Sequence, residues 1–166
     1  MLPTDDVNTS KMNLQNPPDY RTDTVLPLHS DVKANAWAGD AACSGNPGPM
    51  EYRAIDLATG AEVFRYGPIF GTNNIGEFLA VVHALALMKQ QNITDKVIYT
   101  DSNNAIAWLK KKHCKTTLPH DEQTERLFGV IRRAEQWLRL NAVTIPVEKW
   151  DTRAWGEIPA DFGRKI

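Results

Sequence analysis

From about Asn35 onward the apolar residues change their period along the chain, and that change restricts the fold more than any other feature. Ala36–Ala41, Glu51–Leu57 and Glu62–Phe70 read as strands, the last two joined by the hairpin-type turn Ala58-Thr59-Gly60. The spacing then lengthens. Gly76–Gln90 carries apolar residues at Phe78, Val81, Val82, Leu85 and Met88, which predicts a helix. Lys96–Thr100 reads as a short strand. Ser102–Lys112 reads as a helix with Ser102 as its N-cap. Asp121–Leu140 is a second long helix, with Leu127, Val130, Ile131, Ala134 and Leu138 on one stripe, and Val143–Trp150 is the last strand. Pro159 suits the first position of a short final helix. The order β-β-β-α-β-α-α-β-α predicts an α/β domain: a three-strand antiparallel meander, then alternation, giving a mixed sheet with helices packed on it.

Residues 1–34 differ. They are polar, contain Pro3, Pro17, Pro18 and Pro27, and hold one aromatic residue, Tyr20, whereas all five tryptophans come later. This segment is expected to be a tail or linker without a core of its own, with residues 35–166 forming the domain. No apolar run is long enough to span a membrane, and the amino terminus lacks the pattern of a secretory signal. Cys43 and Cys114 form neither a metal motif nor a disulfide framework, so a reducing, cytoplasmic setting is the expectation. A net charge of −1 argues against coating nucleic acid through bulk charge, so such contacts are expected to be local.

Four acids stand out by position. Asp40 and Asp101 come at the ends of strands, where ligand sites of α/β sheets gather. Glu77 precedes Val81 and Leu85 by four and eight residues, which puts a charge on a buried stripe. Asp161 falls in the first turn of the expected last helix. Singly, each has an ordinary explanation as a turn residue, a cap or a partner of the helix dipole. Together they describe an oxygen-only pocket whose mutual repulsion calls for a hard cation, Mg²⁺ or Mn²⁺. Two such ions can activate water and stabilise a leaving oxygen in phosphodiester hydrolysis.

Four segments then match a known pattern in order: DAACSGNPGP, TNNIGEFLAVVHAL, YTDSNNAIAWL and IPADFGRK. The chain from about Asn35 to Lys165 resembles type 1 ribonuclease H. The resemblance implies the RNase H-like fold, a five-stranded mixed sheet with helices on both faces. It implies endonucleolytic cleavage of the RNA strand of an RNA–DNA hybrid by two metal ions, leaving 5′-phosphate and 3′-hydroxyl ends. The catalytic and metal-binding positions it implies are Asp40, Glu77, Asp101 and Asp161. By the same matching the small-residue segment Cys43, Ser44, Gly45 and Asn46 approaches the ribose 2′-hydroxyls in the minor groove, with Asn46 on the RNA strand. Thr72 and Asn73 are expected to hold a DNA-strand phosphate, and Asn74 and Asn103 to sit beside the hybrid. WLKKKHCK, with Lys110, Lys111, Lys112 and Lys115, matches a short basic handle for the DNA strand.

The sequence departs from the family at two places. Ala41 stands where most relatives have glycine, and Lys149–Asp161 lacks the histidine that many relatives carry before the last aspartate. Asp151 and Glu157 are the candidates to stand in for it. The ending WGEIPADFGRK resembles a bacterial branch that often carries an N-terminal hybrid-binding domain; the tail lacks the aromatics and glycines expected of one. The expected protein is a monomer that acts on hybrids without a membrane. The alternatives are a nuclease-inactive hybrid-binding module on the same fold, or another nuclease or strand transferase of that fold.

Overall fold

The computed structural model describes residues 27–163. Residues 1–26 and 164–166 lie outside that description, and with them most of the polar tail and the end of the expected final helix. The strands are β1 (Ala36–Cys43), β2 (Gly48–Asp56), β3 (Glu62–Gly71), β4 (Val97–Thr100) and β5 (Val147–Lys149). The helices are α1 (Asn73–Gln90), α2 (Asn103–Lys111), α3 (Glu125–Leu140) and α4 (Thr152–Trp155). The sheet order is β3-β2-β1-β4-β5. β1, β2 and β3 pair antiparallel, while β4 runs parallel to both β1 and β5. This is the expected mixed sheet.

Alternation along β1 builds two cores. Trp37, Ala41 and Cys43 face α1, α2 and α3, whereas Ala36 and Ala38 face the other way. α1 is buried nearly all round, because the sheet covers one side and α2 and α3 the other. On the opposite face Ile55, Leu57, Val97 and Tyr99 pack against Trp150, Ile158 and Ala160, with Trp155 of α4 beside them. Leu28 and Val32 join this second core, and the Lys33 amide donates to the Tyr99 hydroxyl at 2.9 Å. No helix among the described residues is long and apolar enough to cross a membrane.

Several element ends differ from the sequence-based expectation; β1 and β2, for example, extend toward each other to Cys43 and Gly48. α1 begins at Asn73 rather than Gly76, because the Thr72 hydroxyl caps it by accepting from the Ile75 amide. α3 begins at Glu125 rather than Asp121, because Asp121 instead closes a turn, accepting from the Gln123 and Thr124 amides. β5 is three residues long, set by pairing of Ile98 to Thr100 with Val147 to Lys149. Pro159 opens a turn and not a helix through the described residues: the Asp161 amide donates to Ile158 O, and Gly163 takes a left-handed φ of 74°. A helix appears instead one step earlier, at α4, where the Asp151 carboxylate accepts from the Ala154 amide.

Candidate active site

The site lies where β1 and β4 run side by side and α1 begins. Asp40 lies within β1, three residues before its end at Cys43 and not at the strand end as expected, Asp101 follows β4 directly, and Glu77 is in the second turn of α1. Gly76 brings them together. A Cβ at that position would lie 2.7 Å from both Ala41 Cβ and Met50 Sδ, so only glycine lets α1 approach β1 and β2 this closely. Ala41 causes no strain, because its backbone is ordinary strand and its methyl uses the space Gly76 leaves. The glycine of most relatives is therefore not required here.

Asp40, Glu77 and Asp101 each offer one carboxylate oxygen, and these three atoms lie within 4.8 Å of one another. Asp40 is buried. Burial pushes its carboxyl up to about 6; the charges of Asp101 and Asp161 add to that, and a hydrogen bond with Glu77 opposes it. Glu77 is held well above the ordinary carboxylate range, first by burial and then by the charge of Asp40. Its Oε1 is buried with no hydrogen-bond partner. Asp101 is also raised, chiefly by burial, with the Lys149 ammonium opposing. A buried, mutually repelling, all-oxygen donor set with an orphaned oxygen fits a hard divalent cation such as Mg²⁺ or Mn²⁺.

Asp161 stands apart from this group of three. It comes from the turn after α4, close enough for its charge to raise Asp40, Glu77 and Asp101. Its carboxylate accepts from the Gly163 amide at 3.1 Å.

Some of the other expected residues gather between the turn after β1, the start of α1 and the end of α2. The Asn46 side chain accepts from the Asn73 amide at 3.1 Å, tying the turn after β1 to the start of α1. Asn46, Pro47, Thr72, Asn74, Asn104 and Lys115 line one open depression. Ser44 and Gly45 are exposed at its edge, with Gly45 at φ 86°. Cys43 points the other way: its buried thiol lies 3.5 Å from the carbonyls of Gly48 and Gly71. Any contact from that position would come through its backbone. Lys111 and Lys112 are exposed at the end of α2, where Lys112 takes a left-handed φ of 56°. Asn103 is held by the Lys149 ammonium, which donates to Asn103 Oδ1 at 3.1 Å and to Asp101 O at 3.0 Å.

The two candidates for the histidine's place separate. Asp151 uses its carboxylate to cap α4. Glu157 is exposed, and its charge raises Asp101. Sequence reasoning passed over two cations beside the acids, Lys149 and Arg53. Lys149 closes the register of β5 opposite Thr100, and Arg53 pairs across the sheet with Asp40. Both become visible only once strand register is known.

The chain is similar to known proteins. Residues 32–150 match the RNase H family. A ribonuclease H of Ehrlichia ruminantium is 30% identical over 129 residues, covering 75% of this chain and 80% of that protein. A ribonuclease H of Nitratidesulfovibrio vulgaris is 40% identical over 74 residues, covering 44% of this chain and 46% of that relative, less than half its length. Among solved structures, an RNase H1 isolated from compost is 17% identical with a TM-score of 0.48, covering 72% of this chain and 87% of that one. The family match alone takes in most of the chain, including the turn after β1 and three of the four acids, and the chain belongs to the RNase H family.

Proposed function

We propose that the protein is an endoribonuclease that hydrolyses the RNA strand of RNA–DNA hybrids, leaving 5′-phosphate and 3′-hydroxyl ends. The observation that supports this most is the meeting of Asp40, Glu77 and Asp101, from three different parts of the fold, within 4.8 Å of one another. The relatives named ribonuclease H point the same way. Asp40, Glu77, Asp101 and Asp161 would hold two divalent ions, Mg²⁺ or Mn²⁺. When bound, these ions supply Lewis acidity toward water and the scissile phosphate and offset charge on the departing 3′-oxygen.

The chain's own residues do the rest. Burial and mutual repulsion raise the carboxyls of Asp40 and Glu77, so protons compete with a cation for them and occupancy rises with pH. Asn46 and Thr72 brace the α1 amino terminus, keeping Glu77 in register with Asp40. The exposed Ser44–Asn46 turn presents backbone and small groups to the ribose 2′-hydroxyl, the group that separates RNA from DNA. Asn73, Asn74 and Asn103 contact the sugar–phosphate backbones, and Lys111, Lys112 and Lys115 attract the DNA strand locally. Glu157, and not the helix-capping Asp151, takes the histidine's place beside Asp101. We further take the protein to act as a cytoplasmic monomer whose folded domain follows a polar tail.

Substrate choice tests the reading. With Mg²⁺ or Mn²⁺, labelled hybrid should be cut internally in its RNA strand, with duplex DNA and single-stranded RNA spared. Cleavage of duplex DNA at a comparable rate would refute the assignment.

A further inference from the structure

Arg53 is a partly buried cation on β2, directly across the sheet from Asp40. Paired residues of antiparallel strands project from the same face, so the guanidinium lies on the face that carries the carboxy-terminal segment. It engages that segment through backbone and ring. Nε donates to Ala160 O at 2.9 Å and Nη2 to Asp161 O at 2.7 Å. The same guanidinium carbon sits 4.7 Å from the Phe162 ring centroid. Arg65, the cross-strand partner of Arg53 on β3, stacks on that ring at 5.0 Å and is itself fixed by Glu62 and Glu51.

Three consecutive residues, Ala160 to Phe162, are thus gripped by two arginines of the meander. No regular element among the described residues holds them: α4 has ended and Pro159 has opened a turn. The planar fork of arginine suits this grip, since it binds two neighbouring carbonyls at once while its face packs on an aromatic ring.

We propose that Arg53 is a positioning residue for the fourth acid, fixing the Asp161 backbone to β2 so that its carboxylate faces the other three. This rests on the hydrolase reading above. In that reading Arg53 touches neither substrate nor ion, and it acts through Asp161.

The test compares wild type, Arg53→Ala, Arg53→Lys, Asp161→Asn and the Arg53→Ala/Asp161→Asn double variant. Two readouts are taken on the same preparations: amide exchange of residues 160–163, and single-turnover cleavage of hybrid. Arg53→Ala should speed exchange in that segment about tenfold or more while the β1 and β4 amides keep their protection, showing an intact fold. Cleavage should fall about 10- to 100-fold, the loss expected from a carboxylate shifted by about an ångström. Arg53→Lys, with one donor group in place of a fork, should fall between the two. In the Asp161→Asn background, removing Arg53 should cost less than about threefold more, because both changes disable one group. Additive losses would overturn the proposal, as would wild-type exchange in Arg53→Ala. A wild type that leaves hybrid intact would overturn the hydrolase reading instead, while the exchange comparison still decides whether Arg53 holds the segment.

Discussion

The four acids are held in two different ways. Asp40, Glu77 and Asp101 belong to β1, α1 and the end of β4, elements locked together by the main core and by the close approach at Gly76. Asp161 belongs to an irregular segment held from outside by Arg53 and, through Phe162, by Arg65. The first three are as rigid as the core itself, since opening them means separating a buried helix from a sheet. The fourth is held by two hydrogen bonds, a stacked ring and the packing of its neighbours Ile158 and Ala160 in the second core. One half of the site is therefore built from regular elements, and the other half from an irregular segment docked on them.

This contrast yields an ordered set of expected outcomes. Asp40→Asn or Glu77→Gln should lower hybrid cleavage about 1,000-fold or more, the loss of several kcal/mol of transition-state stabilisation. Asp161→Asn should lower it by a smaller factor under the same assay, and an equal loss would erase the distinction between the two halves. Gly76→Ala should destabilise the domain by about 1–3 kcal/mol in urea unfolding, since the new methyl meets Ala41 and Met50. Adding Ala41→Gly should recover part of that stability.

A pH series sharpens the comparison further. The raised Asp40 carboxyl costs stability once it must ionise in the fold, so its cost is absent below the unfolded value near 4 and grows as pH climbs through about 6. The advantage of Asp40→Asn in melting temperature over metal-free wild type should therefore widen across that window, to about 5 °C or more, and shrink when Mg²⁺ is added. Differences between the variants are the right measure, because His83 acts in the opposite direction. Burial lowers this histidine to about 3, so its contribution to stability is lost as pH falls from about 6.5 toward 3. The smallest effect belongs to the loop. Asp151→Ala should cost about 1 kcal/mol of stability through its cap with little change in cleavage, whereas Glu157→Gln should alter the metal-concentration profile without a stability change.

Much of this could be read before any coordinates. The strand through Asp40, the strand end at Asp101 and the charge at Glu77 on an apolar stripe follow from periodicity, which is a local property of the chain. The expected strand end at Ala41 falls two residues short, since β1 runs on to Cys43 and the chain turns only from Ser44. What escaped reading depends on partners distant in sequence. Arg53 is an unremarked polar position of β2 until its register opposite Asp40 is known, and its acceptors lie 107 and 108 residues away. Pro159 favours a helix locally, yet the turn at Ile158, the left-handed Gly163 and the grip of Arg53 on two carbonyls prevail. Cys43 lies in the small-residue segment, yet strand alternation turns its side chain into the core.

Everything proposed here depends on hybrid cleavage at the carboxylates of Asp40, Glu77 and Asp101, completed by Asp161. Cleavage of an end-labelled RNA–DNA hybrid with Mg²⁺ or Mn²⁺, comparing wild type with Asp101→Asn, tests it most directly. Internal RNA cuts with 3′-hydroxyl ends by the wild type, and none by the variant at equal protein and hybrid binding, are the predicted result. Equal cleavage by both proteins, or binding without cleavage by the wild type under either metal, would contradict it.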